Sequence, residues 1–231
     1  MQVNRPLRSE FAEVIAGLAW DVALLQEAPP GWLRPLGRAA GASGASALTS
    51  RNFLHLVRAA LARLNPDLIA SNEGGSNQVL ARPPWRIAGV ARWTTTTRPE
   101  RRRMLLVRLQ APGGEEIVVA NVHLSTAHPY DEALAAAEHA VAWSEGTPLV
   151  FGGDLNVRPE QAPRLFAELE HGHALVGPTA PDGIDHLLTR GLARRDSPTA
   201  LADSAREVAG GEGRAIRLSD HLPVVAAFEV E

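Results

Sequence analysis

Apolar residues that recur every three or four positions mark four stretches of the chain as amphipathic helices. In the first stretch, residues 9–19, Ser9 stands where a helix N-cap is expected and the apolar stripe follows it. The same spacing predicts further helices over residues 53–64, 131–144 and 164–169.

Shorter apolar runs, bounded by Gly, Pro, Asn or Asp, predict β-strands between these helices. Two of the runs, residues 104–109 and 116–124, are separated by Ala-Pro-Gly-Gly at 111–114, which predicts a hairpin. The other predicted strands cover residues 21–27, 68–70, 78–81, 87–90, 149–151, 183–189 and 222–228.

Three segments show neither pattern and are expected to be irregular connections. Residues 32–50 are rich in Gly, Ala and Ser, residues 94–103 are polar and basic, and residues 191–215 mix glycines with both charges. No change of composition divides the chain, and helices alternate with strands early and again near residue 140. The pattern therefore predicts one α/β domain with mixed sheets over residues 1–231.

Composition narrows the possible chemistry. The chain has 231 residues and no cysteine, which excludes disulfides, thiolate nucleophiles and cysteine zinc sites. All 23 basic residues are arginine, which excludes a P-loop lysine and Schiff-base chemistry. A net charge of -3 gives no overall basic field for nucleic acid. Because no apolar run has the length of a membrane span or a signal region, we expect a cytoplasmic protein with no membrane partner. We also expect a monomer.

Polar side chains fall repeatedly at the ends of the predicted strands, where open α/β sheets bind ligands. Their carboxylates, carboxamides and histidines suit a hard metal ion and general-base chemistry. The local spacing of two histidines and an acid that zinc peptidases use is missing, which favours Mg²⁺ or Mn²⁺ over zinc. These residues are Glu27, Asn121, His123, Asp154, Asn156, Asp185, Asp220 and His221.

The stretch Gly152-Gly153-Asp154-Leu155-Asn156 is the centre of this pattern. Positions two apart on a strand face the same way, so Asp154 and Asn156 are expected to point into one space. The same composition is also typical of a simple turn. Taken alone, Glu27 is compatible with a solvated strand end and His123 with a structural histidine.

Five short motifs occur in order along nearly the whole chain: Leu25-Gln26-Glu27, Asn121-Val122-His123-Leu124, Gly153-Asp154-Leu155-Asn156, Ile184-Asp185-His186 and Ser219-Asp220-His221. Together they resemble the motifs of the endonuclease/exonuclease/phosphatase superfamily, which includes deoxyribonuclease I, exonuclease III, inositol polyphosphate 5-phosphatases and neutral sphingomyelinases. The resemblance implies a four-layer α/β sandwich, in which two mixed β-sheets pack face to face with helices outside.

The resemblance also implies catalytic roles. Asp154 and Asn156 match the pair that positions the attacking water and the scissile phosphate. His123 matches a histidine held against the phosphate or the leaving group. Asp185 matches the acid that pairs with the catalytic histidine, and His221 matches that histidine, a general base or phosphate stabiliser.

The remaining expected site residues bind metal or substrate. Glu27 matches the metal-binding glutamate of the superfamily, and Asp220 matches a further metal or site carboxylate, with Mg²⁺ or Mn²⁺ as the implied cofactor. Asn121 shares a strand face with His123 and is expected to bind substrate. Arg102 and Arg103 belong to the densest basic cluster and are expected to contact phosphate, although such a cluster can equally be a solvated loop.

The sequence departs from the superfamily pattern in two places. Members normally begin with an apolar strand that ends in Trp-Asn, whereas here Asn4 is the only nearby asparagine and Arg5-Pro6 follows it. Either the numbering begins after that strand or the chain lacks it, and in the second case we expect weakened stability and activity. Tyr130 is the only tyrosine and follows Asn121-Val122-His123, so the active-site tyrosine of abasic-site endonucleases has no match.

Three functions are compatible with these observations. The leading hypothesis is a metal-dependent phosphodiesterase that hydrolyses nucleic acid with a water activated at a His/Asp/Mg²⁺ site. The second is a phosphatase on a small phosphorylated metabolite or lipid headgroup, which the pI of about 6.2 slightly favours. The third is a catalytically impaired binding module of the same fold. The intact motifs argue against the third.

Overall fold

The computed structural model describes residues 7–49, 75–98, 100–210 and 215–230. Its α-helices are α1 (Arg8–Gly17), α2 (Leu33–Ala40), α3 (Pro129–Ser144) and α4 (Pro163–His173). Its longer strands are β1 (Val22–Ala28), β2 (Ser43–Leu48), β3 (Ser76–Ala81), β4 (Arg86–Thr96), β5 (Arg102–Gln110), β6 (Glu116–His123), β7 (Leu149–Asp154) and β8 (Asp185–Arg190).

The long strands form two sheets. The first has the order β1-β3-β2, and both of its pairings are antiparallel. The second has the order β4-β5-β6-β7-β8, in which β6 and β7 are parallel and the other neighbours antiparallel. Helix α3 connects the two parallel strands, as a parallel pair requires a crossover.

Buried apolar side chains show that the two sheets pack face to face with helices outside. The layer between the sheets contains Ala47 and Val79 from the first sheet and Leu105, Val107 and Val119 from the second. The outer face of the second sheet packs on α3 and α4, and that of the first on α1 and α2. The predicted four-layer α/β sandwich is confirmed, because each sheet has one apolar face toward the other sheet and one toward helices.

Most predicted elements are present, but residues 32–50 are not an irregular connection. They form α2 and β2, whose buried positions are largely Ala and Gly and therefore carry a weak hydrophobic pattern. The small residues are needed for close packing: a Cβ on Gly44 would lie 2.8 Å from Leu33 Cδ1 and 2.7 Å from Leu80 Cδ2. Their size thus allows α2 to lie directly on the sheet.

Three further expectations differ from the structure. Ser9 is not the N-cap of α1, since Leu7 occupies that position and the Ser9 hydroxyl donates to Glu10. The predicted surface loop 94–103 is shorter, because β4 continues to Thr96 and β5 starts at Arg102. The predicted helix 53–64, the predicted strand 68–70 and the expectation about the first six residues lie outside the described residues.

The C-terminal part pairs in short two-stranded units instead of forming one loop and one strand. These strands contain two or three residues each and pair antiparallel as β9 with β14, β10 with β13 and β11 with β12. Such short pairings offer little apolar periodicity to detect. Their bounds are β9 (Leu192–Arg194), β10 (Thr199–Ala200), β11 (Glu207–Ala209), β12 (Ala215–Arg217), β13 (Val224–Val225) and β14 (Phe228–Val230).

In the described ranges, none of the helices combines the length and apolar character needed to cross a bilayer.

Candidate active site

Three predicted site residues lie side by side at one edge of the second sheet, where β6 and β7 end and β8 begins. In the register of β6, β7 and β8, Asp154 lies opposite His123 on one side and Asp185 on the other. His123 Nε2 is 3.3 Å from Asp154 Oδ2, and both side chains are buried. The sheet register therefore creates a row of one histidine and two carboxylates.

A glycine allows this row to form. Gly153 has φ +121, and a Cβ there would lie 2.1 Å from the carbonyl oxygen of Val122 on β6. It would also lie 2.9 Å from Gln26 Nε2 of β1. Only glycine fits a backbone of this conformation at this separation, so the two sheets approach each other directly beside Asp154.

Asp154 and Asn156 meet through a turn and not through strand alternation. Strand β7 ends at Asp154, and Asn156 has φ +54. The Asn156 backbone N–H donates to Asp154 Oδ1 at 2.9 Å, and its Nδ2 is 3.3 Å from Asp154 Oδ2. Asn156 Nδ2 also donates to the Leu124 carbonyl at 2.9 Å. The stretch is therefore a turn, and the turn holds the Asp154 carboxylate and the Asn156 amide next to each other.

The environment of Asp154 disfavours its charge. Burial raises the pKa of Asp154 from 3.8 to about 6, and the neighbouring Asp185 carboxylate contributes to the rise. The Asn156 N–H, His221 and Arg102 lower the same pKa without cancelling the effect of burial. A carboxyl group that titrates near pH 6 is well matched to proton transfer close to neutral pH.

Asp185 is paired with His221. Its Oδ2 lies 2.8 Å from His221 Nδ1, and both side chains are partly exposed. Burial lowers the pKa of His221, but Asp185, Asp154 and Asp220 together outweigh it and raise that pKa. With its Nδ1 proton donated to Asp185, the ring presents Nε2 as its remaining nitrogen.

Arg102 enters the site from the first residue of β5. Its Nη1 lies 2.8 Å from His123 Nδ1 and 3.7 Å from Glu27 Oε1, and its Nη2 lies 3.4 Å from Glu100. The side chain is only 13% exposed, and its Nε is buried without a hydrogen-bond partner among the described residues. A desolvated guanidinium next to two carboxylates and a histidine can hold an anion that displaces part of these contacts.

Asn121 lies below the row and not in it. Its Nδ2 donates to the carbonyls of Leu25 at 3.0 Å and Gln78 at 2.8 Å, and its Oδ1 accepts from Gln26 Nε2 at 2.7 Å. The side chain is fully buried, so these bonds join β6 to the first sheet immediately under His123. The substrate contact expected of Asn121 remains a prediction.

Two other expected site residues, Arg103 and Asp220, make backbone contacts outside the row of His123, Asp154 and Asp185. The Arg103 carbonyl accepts a hydrogen bond from Asn77 Nδ2 at 2.8 Å. Asp220 is exposed, its backbone carbonyl accepts from Arg206, and its carboxylate acts on His221 electrostatically. The substrate role of Arg103 and the metal role of Asp220 stay predictions.

Glu27 presents an exposed carboxylate beside His123. Glu27 has φ +54 at a bulge of β1, its side chain is 58% exposed, and its Oε1 is 3.9 Å from His123 Nδ1. No group of three or more His, Asp or Glu side chains able to hold a metal is present among the described residues. Mg²⁺ binds through one or two carboxylates with water and substrate oxygens, so a single exposed carboxylate fits its coordination habit.

Sequence reasoning missed three residues that hold the site together. Gln26 bonds to Asn121, Glu100 pairs with Arg102, and Arg206 contacts the backbone before His221. Gln26 could have been suspected from its place in the Leu-Gln-Glu motif. The other two lie in segments of mixed charge that give no comparable signal.

Comparison with known proteins adds a sequence match and structural likenesses. A sequence model of the "Endonuclease/Exonuclease/phosphatase family" matches residues 3–221. No curated protein matches the chain. Among solved structures, an endonuclease/exonuclease/phosphatase family protein from Bacteroides thetaiotaomicron has a TM-score of 0.69 at 14% identity. That alignment covers 97% of this chain and 88% of the other.

Two further solved structures are similar over most of their length. TDP2 from D. rerio, complexed with single strand DNA product, has a TM-score of 0.65 at 14% identity and covers 97% of this chain and 94% of its own. The human Nocturnin catalytic domain with bound sulfate anion has a TM-score of 0.66 at 15% identity, with coverages of 96% and 86%. At these identities the likeness shows a shared fold.

Proposed function

The chain belongs to the Endonuclease/Exonuclease/phosphatase family, and we propose that it is a metal-dependent phosphodiesterase that hydrolyses nucleic acid. Membership of the family supports a phosphoesterase or nuclease type of function. We also propose that residues 1–231 form one domain of this family, because the composition is uniform along the chain.

One observation carries the proposal. The Asp185–His221 pair, with 2.8 Å between Oδ2 and Nδ1, stands beside the buried Asp154, whose sheet partners are Asp185 and His123. Phosphodiester hydrolysis needs a proton acceptor for water, stabilisation of charge on the phosphate and a proton for the leaving oxygen. Asp154, with a pKa of about 6, can accept the proton, the oriented His221 and the neighbouring Arg102 can stabilise charge, and His123 can supply the proton for the leaving oxygen.

The proposed roles follow from the contacts of each group. Asp154, held by the Asn156 N–H, orients the attacking water and accepts its proton as the water oxygen bonds to phosphorus. His221, held by Asp185, faces the phosphate and stabilises its growing negative charge. His123 lies between Asp154 and Arg102, and in the proposal it protonates the leaving oxygen as the phosphorus–oxygen bond breaks.

A divalent cation would be bound mainly by Glu27, with Asp220 as the further candidate ligand. When bound, Mg²⁺ or Mn²⁺ neutralises charge on the non-bridging phosphate oxygens. The exposed Glu27 carboxylate faces His123 and Arg102, where a phosphate would lie in the proposed arrangement.

Two observations favour a nucleic acid substrate over a small phosphoester. The D. rerio TDP2 structure of the same fold holds a single strand DNA product. In this chain, Arg98 and Arg101 lie just before β5, and Arg102 begins β5 next to Glu27, so these arginines can follow a phosphate backbone.

The proposal is tested by hydrolysis assays with Mg²⁺ or Mn²⁺ on bis-p-nitrophenyl phosphate, single-stranded DNA, an abasic duplex and inositol phosphates. We expect His221→Ala to reduce kcat by about 10²–10⁴-fold on the first two substrates. His171→Ala is the matched control, because His171 lies exposed on α4 and contacts the carbonyl of its own helix at Ala167.

Each other result has a defined meaning. Equal activity of His221→Ala and the wild type would overturn the site assignment. Hydrolysis of inositol phosphates alone would replace the nuclease proposal by the phosphatase alternative. Inactivity of the wild type on every substrate would favour a binding module of the same fold.

A further inference from the structure

The guanidinium of Arg206 is buried behind His221. Its side chain is 10% exposed and lies in the 3₁₀ turn Asp203–Arg206, immediately before β11. Nη1 donates to the backbone carbonyls of Ser219, at 3.3 Å, and Asp220, the two residues that precede His221. One side chain thus contacts both peptide units that lead into the proposed catalytic histidine.

The other side of the guanidinium is anchored by a carboxylate. Arg206 Nε donates to Asp203 Oδ1 at 3.0 Å, and Nη2 bonds to the same oxygen. Asp203 is therefore held as the ionised partner, and the hydrogen bond from Arg206 lowers its pKa. A planar guanidinium can donate in several fixed directions at once, which a lysine ammonium cannot reproduce.

Further hydrogen bonds restrain the backbone on both sides of His221. Leu218 N donates to the Arg206 carbonyl at 2.8 Å, and Leu201 N donates to the Pro223 carbonyl at 2.8 Å. Within the segment, the His221 N–H donates to Ser219 Oγ at 3.1 Å. The segment from Leu218 to Pro223 is consequently tied to residues 201–206, and Arg206 supplies the contacts closest to His221.

We infer that Arg206 is a positioning residue for His221, fixing the backbone from which the imidazole reaches Asp185 and the phosphate. The kinetic part of this inference rests on the proposed function, whereas the structural part does not. The Arg206 guanidinium acts on Ser219 and Asp220 and contacts neither water nor phosphate in the proposed reaction. Its loss should move the His221 ring away from Asp185 while the second sheet stays intact.

The test compares Arg206→Met with Arg217→Met. Arg217 is the matched control, because it lies 3.9 Å from the same Asp203 carboxylate but is 57% exposed. The first measurement is the ¹H resonance of the His221 Nδ1 proton, identified by its loss in His221→Ala and its change in Asp185→Asn. The second is kcat and KM on bis-p-nitrophenyl phosphate.

We expect Arg206→Met to lose or shift this resonance and to lower kcat by about 10²-fold with little change in KM. Arg217→Met should keep the resonance and stay within about twofold of the wild-type kcat. Arg206→Lys keeps the positive charge but not the planar guanidinium. It should keep the fold and show only part of the wild-type His221 Nδ1 proton resonance. It serves as the second variant if Arg206→Met does not fold.

Two outcomes would overturn the inference: a normal His221 resonance in both Arg206 variants, or its loss in Arg217→Met as well. A wild type without phosphodiesterase activity would refute the proposed function only. In that case the resonances of the same variants still decide whether Arg206 positions His221.

Discussion

Asp154 and Asp185 are directly opposed residues of the antiparallel strands β7 and β8, so two carboxylates are held side by side at the centre of the site. Like charges that face each other across strands destabilise a sheet. The sheet accepts this arrangement because Asp185 is paired with His221 and Asp154 is next to His123. The two acids therefore have different partners, which supports separate roles.

The raised pKa of Asp154 makes stability depend on pH. A group whose pKa rises on folding stabilises the fold fully below its unfolded pKa, here 3.8, and this contribution is lost as the pH rises through about 6. The rise corresponds to about 3 kcal/mol. We expect the free energy of unfolding of Asp154→Asn, relative to the wild type, to increase by about 2 kcal/mol from pH 4 to pH 7.5, because part of the contribution is already lost at pH 4. Urea denaturation at both pH values measures it, and a constant difference would contradict the raised pKa.

Replacing Asp185, the partner of His221, should show whether the two residues act together in catalysis. We expect Asp185→Asn to lower kcat by about 10²–10⁴-fold, because the ring loses the carboxylate that fixes its tautomer and orientation. The same substitution in a His221→Ala background should change kcat much less, since the two residues act as one unit. Steady-state kinetics of the single and double variants measure the coupling. Additive losses would show that Asp185 acts independently of His221.

Arg102 and Arg103 are neighbours with different surroundings and form a matched pair. We expect Arg102→Met to raise KM for a phosphodiester about 10–100-fold, because a desolvated charged donor at the site is lost. Arg103→Met should have a smaller effect, because the carbonyl contact of that residue with Asn77 is kept. Equal changes in the two variants would assign the substrate contact to the whole cluster.

Gly153 should tolerate no side chain. Gly153→Ala combines φ +121 with a Cβ 2.1 Å from the Val122 carbonyl, so we expect a loss of about 3 kcal/mol or more in the free energy of unfolding. Gly172→Ala is the control, because it is helical and has open space around the added Cβ. That change should stabilise the protein by about 0.5–1 kcal/mol. Urea denaturation measures both, and a Gly153→Ala variant of wild-type stability would refute the close approach.

The strands and the polar residues at their ends could be predicted from the sequence because each signal is local. Apolar runs marked β6, β7 and β8, and the residues that end or begin them are His123, Asp154 and Asp185. Their alignment in one row depends on register between distant segments, which no local pattern encodes. The order of the motifs supplied that information only through a family resemblance.

The remaining features left weak signals in the sequence. Strand β2 buries alanines, whose contrast with exposed Ser and Gly is too small to show a period of two. Arg102 was expected in a loop because charged residues are unusual in a strand, and its partner Glu27 lies far away along the chain. Arg206 donates to backbone carbonyls, and any residue can supply a carbonyl.

The site combines residues from a large sheet with residues from a segment held by short strand pairs, and we expect the two parts to differ in local stability. His123, Asp154 and Asp185 belong to a five-stranded sheet, whose amides we expect to exchange with solvent only when a large cooperative unit opens. Asp220 and His221 lie between β12 and β13. Strand β12 pairs with β11 over three residues and β13 pairs with β10 over two, so local opening can release Asp220 and His221 while the five-stranded sheet persists. The segment that carries Asp220 and His221 can therefore rearrange while His123, Asp154 and Asp185 keep their register.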